Sequence, residues 1–326
     1  MSHGISKYAY AVSSAHVYEK YFFSRNEIDK LLSVPSYDAV IYALREKGWD
    51  IPEDIKNIEK ITELEMNRMW NLIKETVPDK SLFECLVLSN DFHNLKAGIK
   101  CFLSKRDTNM YFVTPSLIPE DLLQNAIENG EYESLPELYG TLGKEISGML
   151  EKTGDGMTAD VLIDKMCLDT MAKTAASSGV QMLKDIMGFL VASTNIKIVY
   201  RAIKTGRDKV FCEKALSTAE CSLDREKLIE MSEKSVEEFL AYLAETPYAE
   251  GGKLLSDSPA DYEKWVDDRI TGMVLPVKNS PLGPEPVIGF FIGKSVEVKN
   301  IRVILSAKLN NLPIEALTTR LRRVYE

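Results

Sequence analysis

Apolar residues recur at intervals of three and four along nearly every long segment of this chain, while the two-residue alternation of a half-buried strand is scarce. The pattern predicts an all-α fold. Leu86, Asn90, His93, Ala97 and residues 99–102 define one helix ending near Ser104 to Asp107, with His93 read as a packing residue on its core-facing side. A second runs from about Gln181 through Ile186, Phe189, Ile196, Val199 and Ile203 to Gly206, a natural helix stop. A third starts at Pro284-Glu285-Pro286, proline being tolerated in a first turn, and continues to Asn310-Asn311-Leu312-Pro313. Two further starts are marked by a hydroxyl before an acidic first turn, in Thr114 to Glu120 and in Ser222 to Glu226. The proline-rich and glycine-rich stretch from Gly272 to Pro286 reads as an irregular connection. A last short helix is expected to place Ile314, Leu317, Leu321 and Val324 on one face with Arg320, Arg322 and Arg323 beside it.

The three long helices share a phrase. Asn94-Leu95-Lys96, Asn195-Ile196-Lys197 and Asn300-Ile301-Arg302 are 101 and 105 residues apart. By composition such a phrase should occur roughly once or less in a chain of this length, and not at even spacing. A second phrase supports the period: Ser36, Val40, Ile41, Leu44, Glu46 and Trp49 return at identical offsets as Ser235, Phe239, Leu240, Leu243, Glu245 and Tyr248. At the comparable place between them stands only Glu131-Tyr132-Glu133-Ser134-Leu135. The chain therefore reads as three divergent helical repeats, 1–106, 107–208 and 209–326, each closing on its signature helix. Asp91 and Glu297 stand three residues before their Asn, one turn away on the same face, where the second unit has Ala192. Such a polar set on an apolar helix is expected to tie neighbouring elements together through satisfied hydrogen bonds.

Charge narrows the function. A net charge of −9 argues against nucleic-acid binding, which needs a basic footprint. Residues 294–326 nevertheless carry a local +4, which leaves −13 for the rest. That polarity suits different partners at different ends. Five scattered cysteines without a CxxC pair point to a reduced, cytosolic setting, and the N-terminal residues lack a hydrophobic signal core. The most apolar run, Val287 to Ile292, is soon ended by Lys294, and its Gly289 and Gly293 spacing reads as buried helix packing. No apolar run approaches the roughly 18–20 residues of a membrane span.

Chemistry is sparse. Gly143-Lys144, Gly252-Lys253 and Gly293-Lys294 lack the flanking residues of a phosphate-cradling loop. His3, His16 and His93 are too dispersed for a helical metal pair, and no His or Cys cluster has zinc spacing. Paired carboxylates are inevitable among 49 acidic residues and carry no weight. The expectation is a protein without catalytic residues, metal or cofactor.

At its C-terminal end the chain resembles a known family. Glu285-Pro286-Val287, the run Lys299-Asn300-Ile301-Arg302 through Asn311-Leu312-Pro313, and Arg320-Leu321-Arg322-Arg323-Val324-Tyr325 are similar to the signature of the C subunits of bacterial and archaeal V/A-type ATPases, counterparts of the eukaryotic V-ATPase d subunit. Asp91 to Lys96 resembles that family's first-unit motif and Tyr8-Ala9-Tyr10-Ala11 its opening, while Ala192 departs from its acid. The resemblance implies three helical units in pseudo-threefold arrangement, forming a funnel with a central cavity. It implies one copy per complex, held peripherally on the cytoplasmic face of the membrane. There it would join the central-stalk subunits to the proteolipid ring and support ATP-linked proton or sodium transport. Lys96, Lys197, Arg302, Arg320, Arg322 and Arg323 are expected to include the contacts to stalk or ring. The competing expectation is a generic helical-repeat scaffold or adaptor.

Overall fold

The computed structural model describes residues 7–106, 111–313 and 315–326, and the described residues form helices and turns with no strand among them. The all-α class is thus the observed one. By packing, the chain divides into two compact units: residues up to Lys80 together with those from Leu243 onward, and Ser81–Tyr242.

The first unit opens with α1 (Ala9–Glu19), α2 (Arg25–Ser33), α3 (Tyr37–Glu46) and α4 (Ile58–Thr76). The second comprises α5 (Ser81–Glu84), α6 (Leu88–Leu103), α7 (Glu120–Asn129), a 3-10 turn at Tyr132–Ser134, α8 (Glu137–Thr153), α9 (Gly156–Ser177), α10 (Gln181–Thr205), α11 (Lys209–Ala215) and α12 (Arg225–Met231). The chain passes back along α13 (Val236–Ala244). It then completes the first unit with α14 (Ala249–Asp257), α15 (Pro259–Val274), a 3-10 turn at Leu275–Val277, α16 (Glu285–Leu309) and α17 (Glu315–Thr318).

Local chemistry explains most of these boundaries. Ser24 caps α2 in a reciprocal capping box with Glu27, and Ser36 and Ser235 accept from the backbone at the equivalent starts of α3 and α13. Asn57, Asp155, Asp208 and Ser258 cap α4, α9, α11 and α15. Gly206 ends α10 with φ at 65°, a left-handed conformation that costs glycine nothing.

Several boundaries differ from expectation. α7 starts at Glu120 behind Pro119, whose ring has no polar atom to cap with, while the Ser116 hydroxyl donates to Asp91; the cap of α12 is Asp224 rather than Ser222. The connection expected from Gly272 is still helical as far as Val274. Lys294 does not end the apolar segment but sits buried within α16. The terminal helix stops at Thr318, and Leu321 and Val324 are buried from a non-helical tail. Ile314, Asp107 and His3 lie outside the described residues.

In the first unit α16 packs against α1, α3, α4 and α15. Val298, Ile301, Ile304 and Leu305 of α16 share one core with Ile28, Leu31 and Leu32 of α2, Val40, Ile41 and Leu44 of α3, and Ile61 of α4. The two ends of the chain are therefore joined in one hydrophobic core. In the second unit α6 packs on α7, α8 and α9, and α10 on α9, α11 and α12. By length and composition α10 could cross a membrane, a property hidden from a count of unbroken apolar runs. Half of its apolar window is buried within the protein, as in a core helix.

Candidate functional site

The repeated Asn does the same thing three times. The Asn94 amide donates to the Val113 carbonyl at 2.9 Å and accepts from the Val113 N–H at 2.8 Å. Asn195 makes the same pair with Ser217 at 3.5 and 3.0 Å, and Asn300 with Arg322 at 3.1 and 2.8 Å. The clamped residue lies 19, 22 and 22 positions downstream. A primary amide holds a donor and an acceptor in one plane, so it pairs with both polar groups of one backbone residue, as a neighbouring strand would. Asp offers no donor there and Leu neither group.

Carboxylates grip the segment around each clamp. Asp91, fully buried on α6, accepts from the Ser116 hydroxyl at 2.6 Å and from the Leu117 and Ile118 N–H groups at 2.8 and 3.2 Å. Burial pushes its carboxyl above the usual range even against those bonds. In the second unit, where Ala192 offers nothing, Asp169 reaches in from α9 to the Ser217 hydroxyl and to the Thr218 N–H at 2.9 Å. Burial there raises the carboxyl, but bonds from Ser217, Lys165 and Thr218 outweigh it and hold Asp169 below the ordinary range. Beside Arg322, Asp268 of α15 accepts from the Arg323 N–H at 2.6 Å, and Asp267 takes the Arg322 guanidinium at 2.9 Å and Lys299 at 2.7 Å.

Glu297 serves elsewhere. Its carboxylate accepts from the Phe23 N–H at 2.6 Å and from the ammonium of Lys294. Lys294 is buried, reaches Glu65 of α4 at 3.0 Å and stands 4.0 Å from the Phe22 ring centroid and 5.5 Å from that of Trp49. Glu65 is further bonded by Arg68 at 3.0 Å. Burial pushes the Glu297 carboxyl up despite Lys294. Lys294 and Glu65 are absent from the residues expected on sequence grounds, although a signal was present: a Lys within an apolar stretch and three residues from a Glu occupies the same helix face.

Of the six basic residues, Lys96 and Lys197 belong to the second unit and the four arginines to the first. Lys96 pairs with Asp164 of α9 at 2.6 Å, and Arg302 donates to the Thr62 hydroxyl of α4 at 2.8 Å. Lys197 is half-buried on α10, whereas Arg320 and Arg323 are exposed in the tail. His93 is exposed as well, within 3.1 Å of the Tyr111 carbonyl, because the buried side of α6 is formed by Asp91, Phe92, Asn94, Leu95, Gly98 and Ile99. Gly289 and Gly293 are buried in α16 as expected, but what packs on Gly293 is the ring of Tyr325 from the non-helical tail rather than a helix: a Cβ on Gly293 would stand 2.4 Å from Tyr325 Cγ. Among the described residues no group of three His, Cys, Asp or Glu is placed to hold a metal ion. What the arrangement does chemically is hold backbone in place.

Over most of its length the chain is similar to known proteins. The family described as ATP synthase (C/AC39) subunit matches residues 11–320. The C subunit of the V-type sodium ATPase of Enterococcus hirae is 23% identical over 308 residues, covering 93% of this chain and 90% of its own. The C subunit of the A-type ATP synthase of Methanocaldococcus jannaschii is 22% identical over 349 residues, covering 97% and 86%. That of Methanothermobacter thermautotrophicus is 24% identical over 278 residues, covering 77% and 70%.

Proposed function

The chain belongs to the ATP synthase (C/AC39) subunit family, non-catalytic subunits of the ATPase complex, and from that membership we propose that it couples the central stalk to the membrane proteolipid ring of a V/A-type rotary ATPase. It supports ATP-linked proton or sodium transport as one copy per complex, bound peripherally at the cytoplasmic face. Three units, 1–106, 107–208 and 209–326, form in this reading a funnel whose central cavity receives the stalk end.

The observation that carries the reading, beside the family itself, is the Asn clamp. Three signature helices each hold a backbone residue 19 to 22 positions downstream by the same paired bond. Equivalent fastenings favour equivalent units, and a part that transmits torque needs stiff joints rather than an active site. Arg320 and Arg323, exposed in a locally basic tail, are the first contact residues to test, with Lys96, Lys197, Arg302 and Arg322 behind them.

The test is a tagged pull-down from gently solubilised native membranes, with bound proteins identified by mass spectrometry. Central-stalk subunits recovered with the proteolipid are the expected result. Recovery of neither, from membranes that contain the complex, would leave an adaptor of another partner. Charge reversal at Arg320 and Arg323 is expected to reduce that recovery.

A further inference from the structure

The solvent-facing side of α1 is unlike the rest of an acidic chain. Tyr10, Val17 and Tyr21, spaced by seven and four residues, fall on one side of the helix and its following turn and are 70%, 54% and 47% exposed. Ala11, Val12 and Ala15 form the buried side. Lys7 and Lys20 are exposed at the two ends, with Ser13 exposed and Ser14 half-buried between them. From Lys7 to Phe23 the sole carboxylate is Glu19, whose side chain is only 11% exposed and lies 3.2 Å from His16.

We propose that this face of α1 rests on an anionic lipid surface, with Tyr10, Val17 and Tyr21 at the headgroup boundary and Lys7 and Lys20 directed to anionic headgroups. The proposal rests on the peripheral membrane position given under Proposed function. Tyrosine flanked by lysine is the composition of the headgroup layer, where an amphipathic ring and a snorkelling ammonium are both satisfied. Protein interfaces of similar aromatic content are depleted in lysine. A protein of net charge −9 is repelled by an anionic leaflet unless the segment it presents is poor in exposed carboxylates, as Lys7 to Phe23 is; from outside that segment Asp79 and Glu285 face Tyr8 at the start of α1. Three apolar anchors and two cations hold weakly alone, so the contact gains its occupancy from the high effective concentration within an assembled complex.

Tyr21→Trp reports on the contact, because Trp49, Trp70 and Trp265 are all buried. The variant is studied as the free full chain with vesicles, and within the complex reconstituted into membranes containing brominated lipid. Quenching of the new tryptophan in the complex is the expected result. For the free chain, quenching should need phosphatidylglycerol and be near absent with phosphatidylcholine alone. Lys7→Gln and Lys20→Gln should each lower vesicle affinity about fivefold. A blue shift on assembly without quenching overturns the proposal in favour of a protein partner, and unchanged emission overturns it outright. Stalk and proteolipid subunits are scored in the same preparation: their recovery without quenching rejects the lipid contact alone, and quenching without their recovery rejects the coupling role alone.

Discussion

Glu297 and Lys294 show how a buried charge can be held for position rather than for net stability. Taking an ammonium and two carboxylates out of water costs several kcal/mol each, and the return depends on every remaining lone pair finding a donor. Here the Phe23 N–H serves Glu297 and the Phe22 and Trp49 rings face the ammonium, but Glu65 Oε2 is left without a hydrogen bond, 2.9 Å from the Arg68 guanidinium. Because burial outweighs Lys294 and raises the Glu297 carboxyl, the folded state binds that proton more tightly than the unfolded chain. The contribution of this group is then fully present below the unfolded carboxylate pKa and is lost as pH rises through the folded one. Glu297→Gln removes the titration and keeps an acceptor for the Phe23 N–H. The expected outcome is that wild type loses stability relative to this variant as pH rises from the acid side, read from urea midpoints across a pH series; a difference independent of pH would mean that Lys294 holds Glu297 ionised throughout.

At the scale of elements, the tail after α17 is shaped by what it packs on. Gly289 and Gly293 leave room on α16 for the Tyr325 ring, which also lies 6.2 Å from Phe22, itself stacked on Phe290 at 5.3 Å. Gly293→Ala forces the ring out and should cost about 1–3 kcal/mol. In a Tyr325→Ala background the same change should cost much less, so a double-mutant cycle by chemical denaturation measures the seat directly. The tail also marks the limit of what the sequence discloses. The ends of α10 and α16 were legible because Gly206, Pro284 and Pro286 act locally. Leu317, Leu321 and Val324 have helical spacing, yet only Leu317 lies in α17; beyond it the non-helical course goes with Asn300 and Asp268 gripping the backbone at Arg322 and Arg323. The three Asn were visible as a repeat, but their partners carry no periodic signal, lying in loops about twenty residues on. Asp169 was invisible as the counterpart of Asp91 because it comes from a different helix.

For the whole molecule, the consequence of α16 packing on α1, α3 and α4 is that the first eighty residues depend on the last eighty-four for their core. Ser81–Tyr242 has its own core, in which α10 packs on α9, α11 and α12. Stability in such a chain is not uniform, and its cooperative units should follow packing rather than sequence period. Ending the chain at Thr318 removes the buried Leu321, Val324 and Tyr325 together with the Asn300 clamp partner and the Arg322 ion pair to Asp267. Native-state hydrogen exchange on that variant should show amide protection falling across residues 7–80 and 243–318 while 81–242 keeps its own. Protection falling evenly throughout would mean that the whole chain opens as one unit. The coupling reading predicts weaker recovery of the truncated chain with its complex on two counts, since the cut removes Arg320, Arg322 and Arg323 and also loosens the unit that holds α1. Leu321→Ala with Val324→Ala, which keeps the arginines, should lower recovery by the second route alone.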